Sequence, residues 1–406
     1  MKYERHFEPD LKECPIVVIE SDDWCACEVL PNKEKVDEYK RILAESESTA
    51  FYSSRLETPA DLQRLFKLLA SHAGADGVPP VFTAFTCTGN PDFKAIEDSG
   101  FTLYKDIPIC EGFPPGWNGE GILDAMREGI DQGVWCPEYH AMLHHTSPRL
   151  WLELLREQSK DGDLARKLFA LGTYYQGKHL PEFHGYTIAE QLDFIVTGFE
   201  RFRQAFGRYP AAAITSDAFP ETELLWQAMG CVAVSLKNCR VNSGDVVVYY
   251  NKPWNMQDVY AHIGDCRPMA DCAYLTRNVF CEVGISQEEV LRTIHNAHCF
   301  YKEPAIISMH RNNYCSLNEA SEEAGYERLE ALLQALDNEG ACYLTSAELA
   351  SLYVRGWSAR RVGQRQLFRR WKGEAKVPAC AENLAPGTHW LPLDADLTLK
   401  KDYQLY

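Results

Sequence analysis

The amino-acid sequence predicts an α/β fold, a (β/α) barrel of about seven strands with loop insertions and a C-terminal appendage. The chain has 406 residues, and 46% of them are hydrophobic, which is enough for a substantial core. Short apolar runs rich in β-forming residues alternate with amphipathic helical patterns, as they do in parallel α/β sheets and barrels. The predicted strands are the runs 15–20, 80–86, 211–215, 231–236, 246–250, 304–309 and 342–345.

Capping residues mark the helix starts between these runs. A Ser or Thr followed by Pro, or by Glu three positions later, is typical of a first helical turn because its side chain satisfies free backbone N–H groups. The helix that begins after Thr187 is expected to end near Gly207, since glycine readily adopts the left-handed conformation of a helix C-terminus. The four signals are Thr58-Pro59, Ser147-Pro148, Thr187-x-x-Glu190 and Ser286-x-x-Glu289.

Residues 1–355 are predicted to form the barrel, and residues 356–406 a C-terminal extension. From about Trp357 the alternation of strand and helix patterns stops, and arginines and then prolines become frequent. The longest candidate insertions are the segments 24–58 and 106–140. A basic run near the C-terminus is interpreted as a solvated helix face or tail. Its members are Arg355, Arg360, Arg361, Arg365, Arg369, Arg370, Lys372 and Lys376.

The net charge restricts the partners of the protein. The chain contains 41 Lys and Arg against 58 Asp and Glu, a formal net charge of −17, so its surface repels nucleic-acid backbones. The N-terminal sequence lacks the apolar core of a secretory signal, and no stretch approaches the roughly 18 apolar residues of a membrane span. We therefore expect a cytoplasmic protein that acts on a small-molecule or oligosaccharide substrate, with neither nucleic acid nor membrane as a partner. The sequence leaves the oligomeric state open.

Two adjacent carboxylates follow the first predicted strand. The run PIVVIE leads directly into Ser21-Asp22-Asp23-Trp24, and active sites of α/β barrels lie at the carboxyl ends of their strands. Adjacent residues of a strand point in different directions, so one carboxylate can bind a metal while the other faces a substrate. The alternative is that one Asp simply caps the following turn.

Two histidines four residues apart form the second candidate element. His140 and His144 precede the Ser147-Pro148 helix start. If this segment is helical, both imidazoles lie on one face and can reach one divalent cation. Two imidazoles and one carboxylate leave coordination positions open for water and substrate, as hydrolytic metal sites require. The spacing also occurs by chance, so the pairing with Asp22 and Asp23 is what favours a metal site.

A single histidine ends the late strand 304–309. His310 lies at the carboxyl end of that run, so a closed barrel would direct it toward the same mouth as Asp22 and Asp23. The alternative is a histidine bonded within the core. Two other pairs are weaker candidates because neither follows a strand. They are His295 with His298, and His179 with His184.

In this order the three elements resemble those of the polysaccharide deacetylases of carbohydrate esterase family 4, whose homology domain is a distorted (β/α) barrel. The Thr-Phe-Asp-Asp type motif is matched by Glu20-Ser21-Asp22-Asp23, the His-x3-His motif by His140 and His144, and the late Leu-x-His motif by Met309-His310. The resemblance spans roughly residues 15–353. It is closest to large bacterial members that read Ser-Asp-Asp-Trp at the first strand and Ser-x-His-Arg-x-Asn-Tyr at the last.

The resemblance implies a role for each matched residue. Asp23, His140 and His144 would hold a divalent metal, zinc or another first-row ion. Asp22 would be the general base, and His310 the general acid that protonates the leaving group. These roles agree with physical expectation, since a bound cation acidifies water and polarises an acyl oxygen, so that one base and one acid suffice for acyl hydrolysis.

The sequence departs from the family pattern on a middle strand. Family members carry an Arg-x-Pro-Tyr motif there, whose Arg helps to orient the base, but this chain reads AAITSDAF over 212–219. Asp217 or Ser216 is the candidate replacement, and Arg311 beside the acid is a candidate source of the missing charge. The candidate substrate-binding residues are Trp24, whose ring could stack on a sugar face, Arg311 and Asp217. The family's Asp motif that orients the catalytic His is not obvious either. The nearest candidates are Trp254, Asp258 and Glu282.

The sequence thus predicts a metal-dependent deacetylase or amidohydrolase that cleaves linear amides, removing an acyl group, expected to be N-acetyl, from a sugar-like or small acylated substrate. Two alternatives stay open. One is a metal-free glycoside hydrolase that uses Asp22 or Asp23 with Glu282 as its paired carboxylates. The other is a degenerate barrel that binds a carbohydrate and catalyses nothing.

Overall fold

A computed structural model describes most of the chain. The described residues are 15–27, 32–43, 54–144, 146–173, 182–215, 218–236, 240–241, 246–247, 261–266, 271–282, 284–362, 365–370 and 389–390. All statements about structure below concern these residues.

The strands and helices alternate over most of these ranges. The strands are β1 (Ile16–Trp24), β2 (Phe82–Thr86), β3 (Gly89–Pro91), β4 (Asp106–Pro108), β5 (Trp135–Tyr139), β6 (Ala212–Ala213), β7 (Ala233–Leu236), β8 (Arg240–Val241), β9 (Val246–Val247), β10 (Ala273–Thr276), β11 (Val279–Phe280), β12 (Ala305–His310), β13 (Cys342–Leu344), β14 (Trp357–Val362), β15 (Arg365–Arg370) and β16 (His389–Trp390). The α-helices are α1 (Lys33–Leu43), α2 (Pro59–Ala70), α3 (Phe93–Asp98), α4 (Ile122–Gln132), α5 (Pro148–Arg156), α6 (Lys160–Leu171), α7 (Ile188–Phe206), α8 (Pro220–Ala228), α9 (Gln287–His295), α10 (Glu319–Asn338) and α11 (Ser346–Arg355). A π-helical turn (Asn296–Tyr301) and a 3-10 turn (Arg311–Asn313) complete the set.

A curled parallel sheet organises the molecule. Its strand order is β10-β7-β6-β5-β2-β1-β12-β11, with β13 also paired to β1, and these nine strands pair only in parallel within the described ranges. Parallel strands need crossover connections, which the helices supply. This arrangement is a distorted (β/α) barrel, so the fold class predicted from the sequence is confirmed, with more strands than the expected seven.

A short segment bridges the two ends of this strand order. Only two residues separate β10, at one end, from β11, at the other. The backbone N–H of Arg277 donates to the carbonyl of Leu236 in β7, and the N–H of Asn278 donates to that of Ile306 in β12. The sheet therefore curls until its ends meet at Arg277, and the side chain of this residue lies in the barrel interior.

The alternation of side chains along β1 separates two cores. Val17 and Ile19 pack in a cluster with residues of α2, α4 and α10, whereas Ile16 and Val18 pack in a second cluster with residues of α11. Because side chains of a strand alternate between faces, Glu20 and Asp22 belong to the same interior face as Val18. This alternation places the acidic side chains of Glu20 and Asp22 in the barrel interior.

The structure corrects several predicted strands. β5, β10 and β11 were not predicted from the sequence, because β5 reads WCPEY and the other two are short. The run 246–250 is not a barrel strand. Its described part, β9, pairs antiparallel with β8 outside the main sheet, and the remaining residues lie outside the described ranges.

The predicted helix starts are confirmed. Thr58, Ser147, Thr187 and Ser286 each cap a helix by accepting a backbone N–H through the side chain. The helix α7 ends where Gly207 adopts a φ of 74°, as expected for a glycine C-cap. Among the described helices, none combines the length and the apolar character needed to cross a lipid bilayer.

The described start of the predicted C-terminal extension packs on the barrel. β14 and β15 form an antiparallel pair that β16 joins, and β14 contacts α11. Arg369 is fully buried and its guanidinium lies 2.6 Å from Glu348 in α11 and 3.1 Å from Asp76. Arg360, 4% exposed, lies 3.2 Å from the same Glu348. The interpretation of the arginine run as a solvated face is therefore wrong for these two residues, because buried carboxylates pair with them.

Replacing Glu348 by Gln should destabilise the fold strongly. Two buried guanidinium groups would lose their shared countercharge, which costs about 3–5 kcal/mol when one partner of a buried pair is removed. Urea-induced unfolding measures the loss. The control is Glu200→Gln, which removes a carboxylate from an exposed pair with Arg203 and should leave the midpoint near that of the wild type. Equal midpoints for the two variants would contradict the importance of this cluster.

Candidate metal centre

The end of β1 carries a local reversal of the backbone. The register between β1 and β2 shifts between Ser21 and Trp24, and Asp23 within that shift has a φ of 74°. Such a left-handed conformation is strained for a residue other than glycine and persists only when the surroundings impose it. Regular alternation would direct Asp23 away from the face that carries Asp22. The reversal instead brings both carboxylates to the same mouth of the barrel.

A buried clamp holds the chain just after this reversal. Glu57 accepts a hydrogen bond from the backbone N–H of Cys25 at 2.8 Å and one from Arg311 Nη1 at 3.0 Å. A second guanidinium nitrogen, Nη2, donates to the carbonyl of Ala26 at 2.9 Å. Arg311 is fully buried. Its contacts with Glu57 and Ala26 are structural, and its complete burial corrects the prediction that it binds substrate.

His140 and His144 lie on a loop and not on a helical turn, which corrects the sequence prediction. β5 ends at Tyr139, and Ala141 has a φ of 62°, which a helix does not permit. The loop nevertheless brings the two imidazoles together, with ring centroids 4.3 Å apart. A tight non-helical turn thus achieves the convergence that was expected from helical spacing.

Both imidazoles converge on one carboxylate oxygen. The Nε2 atoms of His140 and His144 each lie 3.2 Å from Oδ1 of Asp23, and one ligand atom from each residue lies within 4.8 Å of the others. All three side chains are buried. In the described parts of the chain, this is the one group of three such residues with that geometry. The structure therefore brings together the three residues predicted as metal ligands.

The competing histidines do not join this group. Nε2 of His298 is 3.0 Å from the carbonyl of Ile16, and His295 contacts Cys299 at its Nδ1. His184 packs its ring on Phe219, and His179 lies outside the described residues.

The donor set fits a divalent first-row cation. Nδ1 of His140 lies 3.2 Å from the carbonyl of Ile214, which accepts its proton, so the lone pair of a neutral ring is at Nε2 and faces Asp23. Two lone pairs that face each other require a proton or a cation between them. Burial raises the pKa of Asp23, but His144, His310 and His140 hold it well below its usual range. Two imidazoles and an ionised carboxylate form a common ligand set for zinc.

Arg277 holds the second carboxylate of the pair. Its Nη1 and Nη2 donate to the two oxygens of Asp22 at 2.7 and 2.6 Å, a bidentate pairing. Its Nε donates to Glu20 at 2.6 Å, and Nη1 also donates to Ser308. The charge expected from Arg311 therefore comes from Arg277, which was not predicted from the sequence. A single arginine immediately after the apolar run AYLT was the available signal.

Glu20 extends this cluster through the barrel interior. Its Oε1 accepts hydrogen bonds from Ser235 in β7 and Ser346 at the start of α11, each at 2.7 Å. The backbone N–H of Ser346 donates to Thr83 in β2. Ser235, Ser346 and Arg277 thus supply the hydrogen bonds that Glu20 needs as a buried carboxylate.

His310 lies beside Asp22 because β1 and β12 pair in register at these two residues. Its Nδ1 is 2.6 Å from Oε1 of Glu282, and its Nε2 is 3.7 Å from Oδ2 of Asp22. Burial lowers the pKa of His310, but the carboxylates of Glu282, Asp23 and Asp22 raise it to about 9. The ring is therefore protonated at neutral pH, with Nε2 as the available donor. Glu282, one of three residues considered for orienting this histidine, occupies that position.

The other two candidate substrate-binding residues are Trp24 and Asp217. Trp24 is fully buried, donates its Nε1–H to Ser21 and packs edge-on against Trp135 at 4.6 Å, so it is a core residue with no ring face exposed for stacking. Asp217 lies outside the described residues, as do Ser216, Trp254 and Asp258.

Comparison with known proteins identifies no family. No protein-family model matches the chain, and no curated protein matches it in sequence. Similar solved structures include a probable polysaccharide deacetylase from Pseudomonas aeruginosa PAO1, with 10% identity and a TM-score of 0.38 over 83% of this chain and 90% of that one. Another is Puue allantoinase, with 9% identity and a TM-score of 0.39 over 85% and 93%.

A third similar structure is the 4-alpha-glucanotransferase from Thermococcus litoralis, with 10% identity and a TM-score of 0.40 over 93% of this chain. The match spans 41% of the length of that glucanotransferase. Likenesses this weak carry no argument about activity, so the chemistry must be inferred from the residues themselves.

Replacing Arg277 by Met should destabilise the protein by about 3–5 kcal/mol, because it leaves two buried carboxylates without their shared countercharge. Denaturant unfolding monitored by tryptophan fluorescence measures the effect. The matched control is Ser308→Ala, which removes a single hydrogen bond to the same guanidinium and should cost about 1 kcal/mol. If Arg277→Met costs no more than this control, the guanidinium does not hold the acidic pair.

Proposed function

We propose that the protein is a metal-dependent hydrolase that removes an acyl group, N-acetyl in the first instance, from a sugar-like or small acylated substrate. The observation that carries the proposal is the convergence of the His140 and His144 Nε2 atoms on one oxygen of Asp23, each at 3.2 Å. A divalent cation bound there would supply positive charge that polarises an acyl oxygen and acidifies water. Zinc is the ion that this ligand set suits best.

The charge balance of the site supports a cation. Counted at formal charge, and with His140 and His144 neutral as metal-ligating histidines must be, the carboxylates in and around the mouth outnumber the positive groups that contact them by two. The carboxylates are Glu20, Asp22, Asp23 and Glu282, and the positive groups are Arg277 and the protonated His310. A divalent ion at Asp23 would neutralise this excess, which a buried site otherwise has to tolerate at high cost.

Asp22 is the proposed general base. Arg277 donates one hydrogen bond to each oxygen of this carboxylate, and an ionised carboxylate can accept a proton from water. The bidentate grip fixes the orientation of the carboxylate, and proton transfer depends on such positioning. The neighbouring Asp23 contacts the imidazoles of His140 and His144. Asp23 would therefore bind the metal, and Asp22 would accept the proton.

His310 is the proposed general acid. Its protonated Nε2 can deliver a proton to the leaving nitrogen while Glu282 stabilises the imidazolium from Nδ1. In the balanced reaction, water adds to the acyl carbon and gives a proton to Asp22, the C–N bond breaks, and the amine leaves with the proton from His310. The side chains of His310 and Glu282 are 17% and 22% exposed against 5% for Asp23, so the leaving group would approach from this side.

The alternative of a metal-free glycosidase finds less support. That mechanism needs one carboxylate free to attack or to activate water and another to protonate the leaving oxygen. Here Asp22 is gripped by Arg277, Asp23 is contacted by two imidazoles, and Glu282 is bonded to His310. Each candidate carboxylate is therefore already committed to a partner that fits the metal-dependent scheme.

His144→Ala and Asp23→Asn should each abolish stoichiometric zinc binding while the fold survives. Each change removes one of three ligands from a buried site, and a structural or catalytic zinc needs at least three protein ligands. Elemental analysis by mass spectrometry after dialysis against trace zinc, with circular dichroism to check folding, gives the result. His72→Ala is the control, since His72 pairs with Asp337 elsewhere and should leave the zinc content unchanged. Zinc retained by both site variants would exclude this ligand set.

Asp22→Asn and His310→Ala should retain zinc but lower the rate of acyl release by about 10²–10⁴-fold, the usual contribution of a general base or acid. Acetate release from a panel of N-acetylated amino sugars, assayed with and without chelator, measures the rate. His72→Ala again serves as control and should keep wild-type turnover. Loss of zinc from His310→Ala would reassign that residue as a ligand, and undiminished turnover of Asp22→Asn would remove it as the base.

A further inference from the structure

Glu182 is a buried carboxyl group that contacts the loop between the two histidines. It is fully buried, and its Oε1 accepts hydrogen bonds from the backbone N–H groups of Met142 at 2.8 Å and Leu143 at 2.5 Å. These two residues lie between His140 and His144. A single oxygen atom of a residue about forty positions away in the sequence therefore anchors the centre of this loop.

The loop depends on such an anchor because of its backbone conformation. Ala141 is left-handed, with a φ of 62°, so the chain reverses immediately after His140 and the next two N–H groups turn toward the same side. Buried backbone N–H groups must be hydrogen-bonded, and successive amides that point the same way form a site for one acceptor. Without that acceptor the buried N–H groups of Met142 and Leu143 would lose their hydrogen bonds.

The side chains of the loop are held by different neighbours. Leu143 packs in a cluster with Ile96 and Trp151, and Met142 contacts Arg201 through its sulfur at 3.4 Å. These contacts restrain side chains. On the backbone, the N–H of Thr88 donates to the carbonyl of Ala141 at 3.3 Å, and Glu182 accepts the N–H groups of Met142 and Leu143.

We propose that Glu182 is a positioning residue for the metal centre, setting the distance at which His140 and His144 face Asp23 through its hold on the loop. The inference rests on the proposed metal-dependent function and adds to it a residue outside the ligand set. Groups that orient metal ligands without touching the metal commonly contribute 10- to 100-fold to metal affinity.

The chemical state of Glu182 indicates which substitution should be harmless. Burial raises the pKa of Glu182 well above its usual range, although the amides of Leu143 and Met142 act in the opposite direction. In either protonation state the carboxyl presents an acceptor oxygen to the two N–H groups, and the side-chain amide of glutamine presents an equivalent acceptor. Glutamine at this position should therefore preserve the loop, whereas alanine removes the acceptor and aspartate shortens the reach by one methylene.

The experiment titrates the wild type, Glu182→Gln, Glu182→Asp and Glu182→Ala with Zn²⁺ in competition with a chromophoric chelator, and records the visible spectrum of the Co²⁺ form. We expect zinc affinity about 10- to 100-fold weaker for the Ala and Asp variants, with an altered Co²⁺ spectrum, and rescue of both by Gln to within threefold of the wild type. Amide hydrogen exchange of Met142 and Leu143 without metal, slow in the wild type and Gln forms and fast in the Ala form, is the second readout.

Asp76→Ala is the matched control. Asp76 is also a buried carboxylate that accepts a backbone N–H, that of Val78, and it pairs with Arg369 far from the loop. This variant should lower thermal stability and leave zinc affinity and the Co²⁺ spectrum unchanged, which separates positioning from general destabilisation.

The outcomes distinguish this inference from the proposed function. If the wild type binds zinc but Glu182→Ala binds it equally tightly with the same Co²⁺ spectrum, the positioning role is overturned while the metal centre stands. If the wild type binds no zinc, the proposed function fails, and exchange at Met142 and Leu143 then decides whether Glu182 holds the loop. Unchanged exchange in Glu182→Ala would overturn the anchor itself.

Discussion

Two neighbouring carboxylates at the end of β1 serve different partners because the backbone at Asp23 is left-handed. In a regular strand the side chains of Asp22 and Asp23 would point to opposite faces of the sheet, one into the barrel and one toward the outer helices. The reversal keeps Asp22 against Arg277 in the interior and directs Asp23 to the imidazoles of His140 and His144. Glu57 and Arg311 hold the backbone of Cys25 and Ala26 immediately after this strained residue.

The curl of the sheet and the chemistry of the mouth depend on the same short segment. Arg277 lies where the two ends of the strand order meet, so closing the sheet delivers a guanidinium to the interior beneath the mouth. There it pairs with both Glu20 and Asp22, and its double hydrogen bond to Asp22 orients the proposed base. On the other side, in-register pairing of β1 with β12 sets His310 beside Asp22. A change in strand register would therefore disrupt base and acid at once.

Much of this architecture was predictable from local sequence. The alternation of apolar runs and capped helices predicts the barrel because each signal is local. A Ser or Thr caps its own helix, and a strand is recognised by the apolar residues within it. The acidic pair, the two histidines and His310 were predictable for a related reason, since polar residues that directly follow buried strands of a parallel sheet share one edge. The structure brings the three predicted ligands together as expected, although the helical turn inferred for His140 and His144 is a loop.

Residues whose function depends on distant contacts could not be predicted in this way. Arg277 follows only a short apolar run, and Glu57 and Glu182 follow no recognisable motif. Each acquires its partner only when segments far apart in sequence pack together. The same limit explains the two corrections at Trp24 and Arg311, whose burial is decided by neighbours from other elements. The sequence alone determined the class of fold and which side chains could carry chemistry, because both follow from local periodicity and side-chain type. Tertiary structure alone decided which charges meet, since hydrogen bonds across the barrel require the sheet to curl and the backbone at Asp23 to reverse.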